Sequence, residues 1–212
     1  YVVKKVYAFL KQAVEKGHPN ALLIYGQLLI TGSEGHVNNL GESKDAAKGI
    51  AMIEKSYKLG NKDALRELGM VYKNGTGGIA KNYSKALAYL TEAQEVAYVA
   101  AIYMEGGYGV EQNLKKALEY HLKSPARFST FYSIGELYSK GGPGLERNYA
   151  EAIRYFDKSI EFIDKSTNQG SIRKIEVNYK YKMQLRKAEM LFSGGFGIEG
   201  NPAKAFEMAF EL

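Results

Sequence analysis

The sequence of 212 residues contains no cysteine and only three histidines. Without cysteine, the chain cannot hold a disulfide scaffold, a cysteine nucleophile or a thiolate zinc site. His18, His36 and His121 lie far apart and show no metal-ligand spacing. No apolar run approaches the roughly 20 residues that span a bilayer. We therefore expect no metal, no cofactor and no direct membrane insertion in this region.

The remaining composition is that of a folded chain. Hydrophobic residues make up 45% of the sequence and charged residues 25%. These values exclude wholesale disorder, and the length suffices for one domain or two small ones with a core.

An internal repeat is the strongest signal in the sequence. Four segments share the pattern G-x-x-G-[IVL]-x-x-N-x-x-x-A, with first glycines at Gly75, Gly106, Gly141 and Gly194. A small residue stands six positions before each first glycine, namely Gly69, Ala100, Gly135 and Ala188. A degenerate earlier copy carries an insertion around residues 34–39. Repetition at a fixed spacing is the signature of a repeat architecture.

Each copy predicts a helix–turn–helix hairpin. Upstream of the glycines, apolar or small residues recur at i, i+3, i+4 and i+7, as in Leu65, Leu68, Gly69 and Tyr72, which indicates a first helix. A second helix is expected to begin at the asparagine, whose side chain can cap it. The glycines allow left-handed backbone angles in the turn, and the small residue allows a close helix approach. Since one hairpin cannot bury both of its faces, stacked copies are expected to form an α-solenoid.

Residues 64–75 (A-L-R-E-L-G-M-V-Y-K-N-G) followed by residues 78–93 (G-I-A-K-N-Y-S-K-A-L-A-Y-L-T-E-A) closely resemble the Sel-one-like repeat, or SLR, a relative of the tetratricopeptide repeat. The resemblance implies an all-α fold, a right-handed α-solenoid of stacked hairpins. We expect a single domain over residues 1–212, with a half copy at 1–17, copies at 18–60, 61–93, 94–124, 125–160 and 178–212, and an insertion at 161–177. The sequence opens without methionine inside what resembles a second helix, so a longer chain is expected. The cytoplasm, an extracytoplasmic space and the endoplasmic reticulum lumen all remain open as locations.

The resemblance also implies a function. It predicts a non-catalytic scaffold or adaptor that binds a protein or peptide along its concave face, without a cofactor. A regulatory subunit or module of a larger enzyme or quality-control complex is the alternative that the same resemblance allows. No pair of carboxylates stands out as an acid and base pair, and the glycine turns follow a helix, whereas a phosphate loop follows a strand. We therefore do not expect an enzyme.

A candidate partner surface lies on the first helices, opposite their core stripe. Its positions follow the spacing i, i+4, i+7, i+11, and the residue type there changes from copy to copy while the core stripe keeps its type. Either these positions meet a partner or they drift freely on a plain surface. The candidate residues are Glu67, Met70, Asn74, Tyr98, Glu105, Ser133, Glu136, Lys140 and Arg186.

A basic segment covers residues 165–187. It contains seven basic residues and a single acidic residue, Glu176. Its net charge of +6 equals the formal net charge of the whole chain. One interpretation is a docking patch for an acidic partner or nucleic acid; the other, which we favour, is a solvated helix leading into an inter-repeat loop. The candidate patch residues are Arg173, Lys174, Lys180, Lys182 and Lys187.

The other noticeable residues receive structural interpretations. The 17 tyrosines sit mostly at fixed repeat positions and are predicted to pack between helices. His121 is assigned no chemistry. Asn74 and Asn82 match the glycosylation acceptor pattern, and Asn82 is also expected to cap a helix.

Overall fold

A computed structural model describes residues 2–32, 43–167 and 174–210 of the chain. Across these ranges the fold is all-α, with eleven α-helices, one short 3-10 helix and only isolated β-bridges. The prediction of an all-α fold is confirmed. The helices in chain order are α1 (Val2–Glu15), α2 (Pro19–Thr31), α3 (Ala46–Lys58), α4 (Asp63–Asn74), α5 (Tyr83–Glu92), α6 (Val96–Glu105), α7 (Leu114–Lys123), α8 (Phe128–Lys140), α9 (Tyr149–Thr167), α10 (Lys174–Ser193) and α11 (Pro202–Phe210).

The even-numbered helices are the first helices of the hairpins, and the odd-numbered helices from α3 onwards are the second. The chain divides into two compact units, residues 1–111 with α1 to α6 and residues 112–212 with α7 to α11. Within each unit, successive helices pack against one another in chain order. Among the described residues, no helix is both long and apolar enough to cross a bilayer.

Each second helix begins at a side-chain cap. The Oδ1 atoms of Asn82, Asn113, Asn148 and Asn201 accept hydrogen bonds from the amide three residues later at 2.9 to 3.0 Å. Asp45 does the same for α3 at 2.9 Å. The predicted asparagine caps are confirmed, and Pro202 is the first residue of α11, as expected.

The glycine turns have the predicted left-handed geometry. The first glycines have positive φ angles, for example +72° at Gly75 and +58° at Gly141. For α5, α7 and α9, a turn carbonyl of the following hairpin accepts a hydrogen bond from the first amide of the second helix. In the second unit these bonds join Leu114 N to Pro143 O at 2.9 Å and Tyr149 N to Phe196 O at 2.7 Å. The turn of one hairpin is thus fixed to the helix start of the hairpin before it.

Small residues allow close helix contact in both units. A Cβ atom added at Gly69 would lie 2.5 Å from Leu90 Cγ, and one added at Gly135 would lie 2.5 Å from Phe156 Cδ1. Real Cβ atoms do not approach other atoms so closely, so only glycine fits at these crossings. Tyrosines pack beside the crossings, as predicted, with Tyr138 and Tyr155 stacked at 6.0 Å between ring centroids.

Each unit has its own apolar core. In the first unit, Ile30, Ile53 and Leu68 are fully buried in one cluster. In the second unit, the cluster of Phe156, Ile163 and Met183 joins α9 to α10. Because α9 continues to Thr167 and α10 begins at Lys174, the described part of the predicted insertion at 161–177 is helical. The other predicted insertion, at residues 34–39, lies outside the described residues.

Candidate protein-binding surface

The predicted surface residues of the first unit lie on two first helices. Glu67, Met70 and Asn74 are on α4, and Tyr98 and Glu105 are on α6. Asn74 and Glu105 are exposed, and the other three are half-buried. All five therefore reach solvent, as a binding surface requires.

Two of these residues also hold the fold together. Glu105 accepts a hydrogen bond from the Tyr83 hydroxyl and lies 3.9 Å from Lys73 Nζ. Burial and this bond raise the pKa of Tyr83 to about 12. The Tyr98 hydroxyl accepts from Arg66 at 3.4 Å. Glu105 and Tyr98 are thus engaged within the chain before any partner arrives.

In the second unit, three of the four predicted residues (Glu136, Lys140 and Arg186) form one group of charges with Glu189, here called the Arg186 cluster. Glu136 Oε2 lies 2.8 Å from Lys140 Nζ, and its Oε1 lies 3.5 Å from Arg186 Nε. Arg186 Nη1 donates to Glu189 Oε2 at 3.1 Å. The hydrogen bond to Glu189, and then the charge of Glu136, raise the pKa of Arg186. The cluster joins α8 to α10, the first helices of consecutive hairpins.

Glu136 differs from the expectation of an exposed contact residue. It is only 8% exposed, because Arg186 and Lys140 cover its carboxylate. Its carboxylate instead contacts the Arg186 guanidinium and fixes the position of that side chain. Ser133 on α8 is half-buried and Lys140 is exposed, as a surface residue should be.

A small polar cavity opens beside Arg186. Its volume is about 120 Å³. The guanidinium shares it with two serine hydroxyls, which donate to backbone carbonyls at the ends of α8 and α10. The lining residues are Ser139, Tyr149, Arg186, Glu189, Met190 and Ser193. In this cavity the guanidinium N–H groups of Arg186 can donate to a carboxylate or a peptide carbonyl, which are both hydrogen-bond acceptors.

The basic segment is largely paired within the chain. Lys180 Nζ lies 2.7 Å from Asp164 Oδ1, and Lys187 pairs with Asp157. Lys182 lies over the Tyr132 ring at 5.4 Å, and a hydrogen bond to that hydroxyl raises the pKa of Lys182. Lys174 is the first residue of α10, and Arg173 lies outside the described residues. The two acidic partners, Asp157 and Asp164, lie on α9, before the basic segment of residues 165–187 begins.

A further cavity lies in the first unit, with a volume of about 340 Å³. Its charged walls are paired with one another, since Arg66 lies 3.2 Å from Glu95 and Tyr57 donates to Glu92. Within the described ranges, no three histidine, aspartate or glutamate side chains are grouped to hold a metal ion.

Sequence reasoning missed an apolar face on the last hairpin. Leu185, Phe192 and Phe206 are about half exposed and surround a cavity of about 320 Å³. A signal was present, because Phe192 occupies the repeat position that holds Lys73, Met104 and Ser139 in other copies. An aromatic residue where two other copies carry a polar one indicates an exposed apolar position.

Comparison with known proteins agrees with this architecture. The family model of the Sel1 repeat matches residues 21–61, 62–93, 96–124, 132–161 and 184–209. No curated protein matches the chain.

Two solved structures show the same fold. One is a Sel1 repeat protein from Oxalobacter formigenes, with 19% identity and a TM-score of 0.55, covering 98% of this chain and 75% of that one. The other is a protective antigen of uropathogenic Escherichia coli strains with an SLR fold, at 21% identity and a TM-score of 0.56, covering 96% of this chain and 48% of that one. This chain therefore spans about half the length of the antigen. The α-solenoid class is confirmed, and, since the five matched segments make up most of its length, the chain belongs to the Sel1 repeat family.

Proposed function

We propose that this chain is a non-catalytic scaffold that binds a segment of a partner protein along its first helices. Sel1 repeat proteins are generally protein–protein interaction scaffolds without catalysis. In solenoids of helical hairpins, the first helices usually line the concave side. If the partner is an enzyme or a quality-control complex, the scaffold would act as its regulatory subunit or module, which is the alternative function.

The Arg186 cluster is the observation that carries this proposal. Arg186 is half-buried and is held between a buried carboxylate, Glu136, and an exposed one, Glu189. Its position is therefore set before binding, so little side-chain entropy is lost when a partner docks. Arginine is also enriched among residues that dominate binding energy. A partner segment crossing from α8 to α10 would meet the guanidinium, Lys140 and the serine-lined cavity together.

Nucleic-acid binding has weaker support. Phosphate binding needs lysines whose charge is available. Lys180 and Lys187 instead pair with Asp164 and Asp157 on the neighbouring helix.

The test compares partner capture by the whole chain and by two variants. Arg186→Glu reverses the charge above Glu136, whereas Lys204→Glu makes the same change on exposed α11, away from the cluster. Proteins captured by the parent and by Lys204→Glu, but lost with Arg186→Glu, are expected. They should then bind in purified form with an affinity that falls roughly tenfold or more in Arg186→Ala.

Equal capture by all three proteins would refute the proposal for this surface. Glu136 is not a suitable test position, since reversing a buried carboxylate would disturb folding. Circular dichroism of both Arg186→Glu and Arg186→Ala checks that any lost binding does not come from unfolding.

A further inference from the structure

The first unit contains an ion pair at the repeat positions that correspond to the cavity beside Arg186. Lys73 lies near the end of α4 and Glu105 ends α6, with 3.9 Å between Lys73 Nζ and Glu105 Oε1. The Tyr83 hydroxyl, at the start of α5, donates a hydrogen bond to the other oxygen of that carboxylate. Tyr83 is only 3% exposed. One glutamate side chain thus joins the ends of two consecutive first helices to the second helix between them.

The second unit has the same tyrosine but lacks the ion pair. Counted from the first glycine and the capping asparagine of each copy, the lysine, tyrosine and glutamate of the first unit correspond to Ser139, Tyr149 and Ser193. All three line the cavity of about 120 Å³ beside Arg186. The cavity therefore lies where serines replace two long charged side chains of the first unit.

Two donors in this cavity have no acceptor within the described part of the chain. The Tyr149 hydroxyl, unlike that of Tyr83, makes no hydrogen bond to a described residue, while its ring packs at 5.0 Å against Phe196. Arg186 donates to Glu189 through Nη1 and contacts Glu136 through Nε, and no described residue accepts from its Nη2. The cavity thus lacks an acceptor that a phenol and a guanidinium can share.

We infer that the cavity binds a carboxylate carried by the partner segment, in the place that Glu105 fills in the first unit. The carboxylate would accept from the Tyr149 hydroxyl and from the Arg186 guanidinium, whose N–H groups match its two oxygens. Since a cavity of roughly 150 Å³ can hold benzene, this volume suits a carboxyl group with one or two methylenes. The inference rests on the proposed function, because it names the chemistry of the segment that meets Arg186.

The charges around the cavity allow a further carboxylate to enter. Lys140 and Arg186 balance Glu136 and Glu189, so the four charges of the Arg186 cluster sum to zero. The Glu189 side chain is 54% exposed, and an exposed ion pair contributes little to stability. A partner carboxylate that accepts from two donors can therefore compete with Glu189 for the guanidinium.

Propionate is the simplest probe, because it has the carbon and oxygen atoms of a glutamate side chain. Sodium propionate is added to the isotope-labelled whole chain at constant ionic strength, and NMR follows the Arg186 Nε–H and the amides around the cavity. For so small a ligand we expect a dissociation constant on the order of 1–10 mM. Propionamide, the neutral analogue of the same shape, should bind roughly tenfold more weakly or worse.

Three variants of the chain test the proposed contacts. Tyr149→Phe removes only the hydroxyl and should weaken propionate binding roughly tenfold, since hydrogen bonds to charged groups are strong. Ser193→Glu supplies the carboxylate from within the chain, as in the first unit, and should abolish propionate binding. Ser129→Glu makes the same change at an exposed serine in the first turn of α8 and should leave the affinity unchanged.

Two peptides distinguish the source of the carboxylate. Acetyl-G-G-E-G-G-amide offers a glutamate side chain, and acetyl-G-G-G-G-G with a free carboxyl end offers a chain terminus. At least one of them should bind and lose affinity in Tyr149→Phe, whereas acetyl-G-G-Q-G-G-amide should not bind. Failure of both acidic peptides, with propionate still binding, would overturn the assignment to a protein segment.

Three further results would overturn the inference. Propionate could give no saturable shift up to about 100 mM, tenfold above the expected constant. Propionamide could bind as well as propionate, or Tyr149→Phe as well as the parent. The proposed function would survive each of these results, because capture of a partner that depends on Arg186 does not require a carboxylate in the cavity. It fails separately, if Arg186→Glu captures the same proteins as the parent.

Discussion

Lys187 of α10 pairs with Asp157 of α9, and Lys180, seven residues earlier, pairs at 2.7 Å with Asp164, seven residues later. The two pairs form a ladder between antiparallel helices. Lys187 stands at the core-stripe position held by Leu68 and Ile134 in other copies, which is why its side chain is only 16% exposed. The long aliphatic stem fills the apolar position while the ammonium reaches the carboxylate.

This arrangement predicts an unequal response to removing either partner. Asp157→Ala leaves the ammonium of a mostly buried side chain without its counter-ion and should lower the free energy of unfolding by about 1–3 kcal/mol. Lys187→Met keeps the stem and leaves an exposed carboxylate in water, so we expect a change within about 1 kcal/mol. Urea unfolding followed by circular dichroism measures both values.

The double variant, Asp157→Ala with Lys187→Met, serves as the control. It has no unpaired charge and should recover the stability of Lys187→Met. If the two single variants lose equal free energy of unfolding, the loss comes from breaking the ion pair and not from leaving the Lys187 ammonium unpaired.

Gly135 offers a prediction about packing. In a helix interior, alanine is usually favoured over glycine by about 1 kcal/mol. Here an added Cβ would lie 2.5 Å from the Phe156 ring, and overpacking typically costs about 1–3 kcal/mol. Gly135→Ala is therefore expected to destabilise the chain in urea unfolding.

Gly200→Ala is the matched control for this substitution. A Cβ at Gly200 would have no neighbour closer than 3.6 Å, and its backbone φ is not positive. We expect equal or slightly higher stability, by up to about 1 kcal/mol, in thermal or urea unfolding. A loss at Gly200 as large as that at Gly135 would contradict the packing explanation.

The features that could be predicted from the sequence are those that depend on local geometry or a fixed repeat offset. Asn148 caps α9 because its acceptor and the amide of Glu151 are three residues apart in the chain. Gly135 faces Phe156 because both hold constant positions within one copy. Such contacts can be predicted because the residues that make them are a fixed number of positions apart in every copy.

The side-chain pairings that were missed depend on residues in different copies. Glu136 looks like a surface residue on its own helix, and only the presence of Arg186 on α10 explains its burial. From the sequence Lys187 resembles an unpaired surface cation, whereas in the structure it pairs with Asp157 on α9. The segment between α9 and α10 varies in length, so the sequence could not fix which residues of the two helices would meet.

The asparagine caps make a third prediction. Asn148→Ala removes the acceptor for the Glu151 amide, which lies 2.9 Å away, and should cost about 0.5–2 kcal/mol of unfolding free energy. Asn148→Asp retains an acceptor and should keep most of the stability. Lys62, which precedes α4 without any side-chain cap bond, is the comparison position, and Lys62→Ala should change little. A loss in Asn148→Asp equal to that in Asn148→Ala would argue against the capping role.

His121 makes stability depend on pH. It is only 7% exposed, and its Nε2 has no hydrogen-bond partner among the described residues. Burial lowers the pKa of His121 below its usual value of 6.5. The unfolded chain therefore binds more protons at this position than the folded chain. Its contribution to stability is present above about pH 6.5 and is lost as the pH falls through the lowered folded-state pKa.

Replacing this histidine should remove that part of the acid sensitivity. Leu90 holds the same repeat position in α5 and is fully buried, so His121→Leu suits the site. Urea midpoints measured from pH 8 to pH 5 should fall less steeply in His121→Leu than in the parent. His18→Gln removes an exposed histidine and should keep the parent's slope, which separates burial from the mere number of histidines. The three proteins contain the same carboxylates, so an unchanged slope in His121→Leu would mean that the buried imidazole is not the acid-sensitive group.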